Sequence, residues 1–290
     1  MKTIRLTTIA VLCSAAWLSA QTPMSPRSGA TTYDLVAEFS YAGRSKISEG
    51  TLRLGEISTT QARLSAVMAV PLGAQDQFLF GAGAQQFEFD PPAASLVPDR
   101  LGSLALKLGW NRALDDQWSF RAEADPGTYG AGSFGAPIAV RVIYAASREL
   151  QWALGVNYDW RSGHPLVGGV GVRWQFAPEW TLSFLLPAPR LEWACTKDFT
   201  LYAGASLRGG TFRVADDFGR KRGRSAFDGL TVDYREINLG LGARWQLAPC
   251  TALHLGLGAM TDRRFEFHDR NLLLNGDGAT SAQLTLTRAF

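Results

Sequence analysis

Between 237 and 247 the apolar side chains fall on every second position: Ile237, Leu239, Leu241, Ala243, Trp245 and Leu247, with Asn238, Gly240, Gly242, Arg244 and Gln246 between them. A period of two puts successive side chains on opposite faces of an extended chain, so this stretch predicts a strand with one apolar and one polar or glycine face. Leu253, Leu255, Leu257 and Ala259 repeat the pattern against His254, Gly256 and Gly258, and Ala282, Leu284, Leu286 and Phe290 against Gln283, Thr285 and Thr287. It begins at Tyr33, Leu35, Ala37, Phe39 and Tyr41, opposite Asp34, Glu38 and Ser40, and continues at Leu64, Ala66, Met68 and Val70. Followed along the chain, it predicts strands near 33–41, 59–71, 77–89, 102–112, 116–125, 137–146, 151–161, 166–176, 180–186, 190–195, 198–213, 231–247, 250–267 and 281–290. That makes fourteen, within a range of twelve to sixteen.

The connections carry independent information. Those at 73–75, 113–115, 147–150, 177–179, 196–197 and 248–249 are tight, and between them lie longer ones at 42–58, 90–101, 126–136, 162–165, 214–230 and 268–280, with 187–189 the exception. Short turns at one end and long loops at the other are the arrangement of an up-and-down membrane barrel. Strands of about 9–11 residues are long enough to cross a bilayer when tilted. The expected fold is therefore all-β, a closed antiparallel up-and-down transmembrane β-barrel over 32–290, with both termini on the short-turn side. Tryptophan agrees with this. Trp110, Trp118, Trp152, Trp174, Trp180, Trp193 and Trp245 lie near the short turns and only Trp160 at the loop end, as an interfacial aromatic girdle requires. A soluble barrel or sandwich would place its tryptophans centrally.

Composition alters the picture little. After residue 20 no apolar run is long enough for a membrane helix. Residues 1–20, with Lys2 and Arg5 ahead of the apolar stretch 9–18 and small residues before Gln21, read as a secretory signal, and 21–31 as a flexible lead. Losing Lys2 and Arg5 leaves 27 Lys and Arg against 26 Asp and Glu, so no nucleic-acid partner is expected. Cys195 and Cys250 would then remain, able to form one bridge but too few for a disulfide scaffold. His164, His254 and His268 are scattered, and no metal or cofactor is expected. The glycine pairs at 81/83, 169/171, 240/242 and 256/258 lack the phosphate-loop pattern and read as relief of crowding on the inner face.

If the apolar face meets lipid, the other face lines a lumen. That inward set contains Glu38, Lys107, Arg121, Glu123, Arg141, Asp159, Arg173, Arg208, Glu236 and Arg244, together with Asp34, Asn111, Asp125, Asn157, Arg161, Gln175, Asn238, Gln246 and His254. An Arg or Lys turned to hydrocarbon instead would cost about 2–4 kcal/mol at the midplane. Arg220, Lys221, Arg222 and Arg224 gather in one loop, either as a contact for lipopolysaccharide phosphate or as a solvated tip balanced by Asp216, Asp217 and Asp228.

Two resemblances add to this reading. A final strand ending on Phe290 is similar to the C-terminal signal of bacterial outer-membrane barrels, which implies recognition by the barrel-insertion machinery; Arg288 departs from that signal. The stretch LPAPRLEWACTKDFTLYAGASLRGGTFR at 186–213, with DYREINLGLGARW and RRFEFHD further on, resembles an uncharacterised domain family of secreted bacterial proteins expected to be outer-membrane barrels. It rests on Pro187-x-Pro189-Arg190, Gly209-Gly210-x-Phe212-Arg213 and Tyr234-Arg235-Glu236, and implies location and fold without an activity. The expected function is passive solute passage through a charged lumen in the outer membrane, with no catalytic residues. The alternatives are an outer-membrane lipid-acting enzyme, a structural barrel filled by its own charges, and a soluble periplasmic β-protein.

Overall fold

The computed structural model describes residues 30–93 and 95–290, which form one closed antiparallel sheet. The expected secretory signal and nearly all of the flexible lead lie outside these residues. Three strands are interrupted, and counting each once gives fourteen. They are β1 (Thr32–Glu49), β2 (Leu52–Pro71), β3 (Asp76–Phe89), β4 (Arg100–Ala113), β5 (Trp118–Ala124 with Gly127–Tyr129), β6 (Phe134–Gly135 with Ile138–Ala145) and β7 (Leu150–Tyr158). The second half comprises β8 (Leu166–Ala177), β9 (Trp180–Phe184), β10 (Arg190–Ala194), β11 (Phe199–Arg213), β12 (Thr231–Ala248), β13 (Thr251–Phe267) and β14 (Leu272–Gly276 with Ala279–Ala289).

Each strand pairs with its sequence neighbours, and β14 returns to β1 from Asp34 opposite Ala289 to Ala42 opposite Ser281. Phe290 completes the seam, exchanging backbone hydrogen bonds with Tyr33 at 2.9 and 3.1 Å. The ladder is continuous around the short-turn half of the wall, whereas toward the loop end β9 and β10 stop at Phe184 and Arg190, so that 166–171 of β8 and 208–212 of β11 have no strand partner on that side. Among the described residues no helix is long and apolar enough to cross a membrane. Cys195 and Cys250 are free thiols.

The predicted faces hold through the middle of the wall. Leu239, Leu241, Leu255, Leu257, Leu284 and Leu286 are exposed outward, whereas Glu38, Ser40, Asn238 and Thr285 are buried inside. Trp110, Trp174 and Trp245 each sit three residues before the short-turn end of β4, β8 and β12, and all three are exposed. Trp180 stacks on Trp193 at 5.8 Å, and Trp118 meets Tyr144 at 4.6 Å, so aromatic side chains form a belt at that rim. Trp indole groups favour such an interface because the ring is buried while the N–H stays wet.

At the loop end three expected loops contain strand. The segment 42–58 is the upper part of the β1–β2 hairpin, turning at Gly50 with φ 58°. Strand pieces likewise occupy Leu272–Gly276, Gly127–Tyr129 and Phe134–Gly135. Irregular register explains why alternation did not reveal the hairpin, and the other pieces, two to five residues long, are too short for alternation to mark. Pairing shifts between Ala42 and Ser45, so the inward positions pass from Glu38, Ser40 and Ala42 to Ser45 and Ile47. On β13 a shift around Thr261 turns Arg263, Phe265 and Phe267 inward after Met260. Such bulges change which face a residue occupies.

The inner wall also changes character there. Val232 and Tyr234 point inward on β12, and with Ile47, Ile57, Phe87, Phe89, Phe212, Phe265 and Phe267 they enclose an apolar core. The segment 214–230 folds into it through Val214, Phe218 and Phe227, and the β3–β4 loop adds Leu96 and Val97. Gly209 accommodates the bend of β11 beneath this core: its φ is 136°, and a Cβ there would lie 1.9 Å from the Tyr234 carbonyl oxygen.

Candidate functional site

From the short-turn rim the barrel opens into a vestibule of about 960 Å³, whose wall includes Asp34, Arg63, Lys107, Arg121, Glu123, Asp125, Arg173, Arg190, Glu192, Arg244 and His254. Strand alternation delivers these side chains, since each alternates with an outward apolar neighbour such as Leu64, Leu106 or Trp245. On the β4–β6 side the charges neutralise one another: Lys107 pairs with Asp125, Arg121 with Glu123, and Arg141 reaches Glu123 at 2.9 Å. Across the lumen Arg190 pairs with Glu192.

Above the vestibule lies a layer in which almost nothing is exposed. Arg208 reaches Glu38 at 3.0 Å and Glu236 at 3.7 Å and donates to Ser40 Oγ at 2.7 Å. Glu236 also accepts from the Tyr234 hydroxyl at 2.6 Å and from Asn238 at 3.1 Å. Arg263, fully buried, donates to the Ile57 carbonyl at 3.2 Å and Ser45 Oγ at 3.3 Å, and lies 3.9 Å from Glu236. These pairs offset the cost of placing ions away from bulk water, a cost that grows toward the dry core above.

That core is built from aromatic edges. Tyr234 contacts Phe87 at 5.0 Å, Phe89 at 5.0 Å and Phe265 at 4.8 Å, while Phe267 sits between Phe218 and Phe227. Arg222 fastens 214–230 in place: its guanidinium lies over the Phe218 ring and donates to Ser95 O at 2.8 Å, Val97 O at 3.0 Å and Asp99 at 2.9 Å. The other basic residues of the loop have intramolecular partners too, Arg220 with Asp228, Lys221 with Asp217 and Arg224 with Glu49, but stay largely exposed. The barrel in this conformation is thus open at the short-turn end and sealed at the loop end.

The ten residues singled out by alternation fall into separate groups. Glu38, Arg208 and Glu236 share the middle layer, Lys107, Arg121, Glu123 and Arg141 form the β4–β6 cluster, and Arg173 and Arg244 line the vestibule. Asp159 is higher, paired with Arg161 at 2.6 Å beside the Tyr129 ring. Alternation missed Arg190 and Glu192, whose short strand follows two prolines, and Arg263, which a bulge turns inward. Arg63 was missed as well, although its place next to the outward Leu64 is the signal that could have found it.

One polar cluster lies outside the lumen at the loop end. Asp233 accepts from Ser162 at 2.9 Å, Thr211 at 2.5 Å, the Gly163 amide at 3.2 Å and His268 Nε2 at 2.8 Å. Burial alone would raise the Asp233 carboxyl, but the hydrogen bonds from His268, Thr211 and Ser162 outweigh it and hold the group below the usual range. The same bond to Asp233 raises His268. His164 and His268, far apart in sequence, meet with ring centroids 5.5 Å apart. Ser162 bonds to the carboxylate rather than to an imidazole, so the trio lacks the serine–histidine hydrogen bond of an activated nucleophile. No cluster of metal-ligating residues occurs among the described residues.

Residues 80–274 match a family model described as Domain of unknown function (DUF6268). No curated protein matches the chain. Among solved structures it is similar to the COG4313 outer membrane channel from Pseudomonas putida F1, with a TM-score of 0.50 and 10% identity over 93% of this chain and 99% of that one. It is also similar to a deltaS2S3 mutant of the TodX monoaromatic hydrocarbon channel, with a TM-score of 0.51 and 8% identity over 90% of each chain. At such identities the likeness is one of fold.

Proposed function

The chain belongs to the family described as Domain of unknown function (DUF6268), and we propose that it resides in the outer membrane as a barrel for passage of small hydrated solutes, closed at its outer mouth in the conformation described here. The supporting observation is the contrast between the two ends of the lumen: a polar vestibule of about 960 Å³ at the short-turn rim and an aromatic core at the loop end. Passage then requires 214–230 to leave the mouth, after which the ion-paired wall selects solutes by width and charge. The charged residues Glu38, Lys107, Arg121, Glu123, Arg141, Asp159, Arg173, Arg208, Glu236 and Arg244 are the proposed lining of that path. Contact of Arg220, Lys221 and Arg224 with lipopolysaccharide phosphate, and engagement of Phe290 by the insertion machinery, belong to the same proposal.

A second reading, a structural barrel that never opens, is favoured by the complete burial of Phe87, Phe265 and Arg263. Single-channel recording in planar bilayers separates the two. The intact chain is expected to stay mostly closed, and replacing 216–228 with a short glycine-serine linker to produce steady ion current. A linker variant that inserts yet remains silent would leave the structural reading.

A further inference from the structure

We propose that the vestibule binds small organic dicarboxylates at Arg173 and Arg244, with Arg190 alongside. This deepens the solute-passage reading and rests on the inward-open, hydrated lumen it assumes, though not on conduction. Arg173 on β8 stands opposite Ser183 on β9, which stands opposite Arg190 on β10, so these two arginines lie two strand spacings apart, about 10 Å. Arg244 on β12 stands opposite His254 on β13, and the three arginines and His254 line the same cavity.

Charge accounting sets this wall apart. The cations of the β4–β6 side and of the middle layer meet carboxylates, and on this side Glu192 serves Arg190. Arg173 and Arg244 have no acidic partner within ion-pair distance among the described residues. Two unneutralised guanidinium groups in a water-filled cavity with low-dielectric walls raise the local concentration of anions, and their planar forks match a carboxylate with two parallel hydrogen bonds. Arg173 and Arg244 stand four strands apart around the wall, so a ligand whose two carboxylates are held apart is the one suited to reach both across the lumen, whereas a compact anion such as phosphate can meet one.

The wall also leaves room for such a molecule. Gly204, Gly240 and Gly258 stand opposite one another on β11, β12 and β13, and present no side chain to the lumen. Beside them a recess of about 180 Å³ is lined by Arg190, Tyr202, His254, Gln283 and Thr285, which supply hydrogen-bonding groups for the rest of the ligand. The sealed outer end means that the ligand enters from the short-turn side.

The test is isothermal titration calorimetry on the full-length protein in a neutral detergent at low ionic strength, with succinate as the probe and choline, glucose and inorganic phosphate as comparisons. Succinate is expected to bind in preference to all three and to weaken as salt is added. Arg173→Gln with Arg244→Gln should reduce its affinity at least tenfold, and Arg112→Gln, on the outward face at the short-turn rim, should leave it unchanged. If the double variant does not fold, the single Arg244→Gln, at an exposed position, carries the test with an expected loss of at least threefold. Succinate binding no tighter than glucose, equal binding of phosphate, or indifference to these substitutions would overturn the assignment. A protein that binds succinate while its linker variant passes no current keeps the site and loses the passage reading, and the converse result does the reverse.

Discussion

Replacing Arg263 with methionine tests how dry the sealed end of the barrel is. The side chain is fully buried, and its guanidinium serves the Ile57 carbonyl, Ser45 Oγ and the charge of Glu236. Methionine keeps most of the volume and removes the charge. Glu236, itself 2% exposed, would then rely on Arg208 at 3.7 Å and on the neutral donors Tyr234 and Asn238. Removing one partner of a buried ion pair in a dry site costs about 3–5 kcal/mol, because the other charge is left poorly compensated. Were the layer hydrated, water would replace the lost donors and the cost would approach that of an exposed pair, about 0–1 kcal/mol. Urea titration of the barrel refolded in lipid vesicles measures the difference. The expected result for Arg263→Met is a loss of about 3–5 kcal/mol, most of it recovered when Glu236→Gln is added. A loss below about 1 kcal/mol, or no recovery in the double variant, would refute the dry seal.

Three further outcomes follow from the same geometry. Phe265→Ala should destabilise the barrel by about 3–5 kcal/mol and, by loosening the aromatic core, add brief current openings to bilayer recordings that intact protein lacks. Gly242→Ala should cost about 1–3 kcal/mol in the same urea assay, because a Cβ there would lie 2.2 Å from the Tyr202 ring. The clasp around Asp233 should depend on pH. The raised His268 contributes stability that is complete below about 6.5 and is lost as pH rises through its higher folded value, and the lowered Asp233 contributes stability that is complete above about 3.8 and is lost as pH falls through its depressed folded value. Hydrogen exchange of 160–165 should therefore be slowest between those limits, and His268→Ala should abolish the change on the alkaline side.

Much of this molecule can be read from residue spacing, and the places where reading fails share a physical cause. From Ile237 to Leu247 one face meets lipid without interruption, so alternation gives the strand and its orientation directly. Past the bilayer the rule inverts. Val232 and Tyr234 turn apolar groups inward while Asp233 and Arg235 face out, and nothing in a count of alternate positions marks where the solvent changes sides. The shifts near Ala42 and Thr261 compound this by moving Ile47, Arg263 and Phe265 to the inner face. The burial of Glu38, Asn238 and Thr285 on the inner face therefore follows the alternation in the middle of the wall, whereas the aromatic core at the loop end does not. Nor does the meeting of Ser162, Asp233 and His268, which depends on contacts across β7, β12 and β13 that spacing along the chain does not encode.

A lumen that water enters from one end only is the property on which both the vestibule and the seal depend. In a Cys195→Ser, Cys250→Ser background, Thr181→Cys places a thiol in the vestibule and Thr59→Cys places one near the seal, at a position 3% exposed. A membrane-impermeant maleimide applied to reconstituted protein should modify position 181 from the short-turn side alone, and should leave position 59 unmodified from either side until 216–228 is replaced by the linker. Rapid modification of position 59 in the intact barrel would contradict the seal.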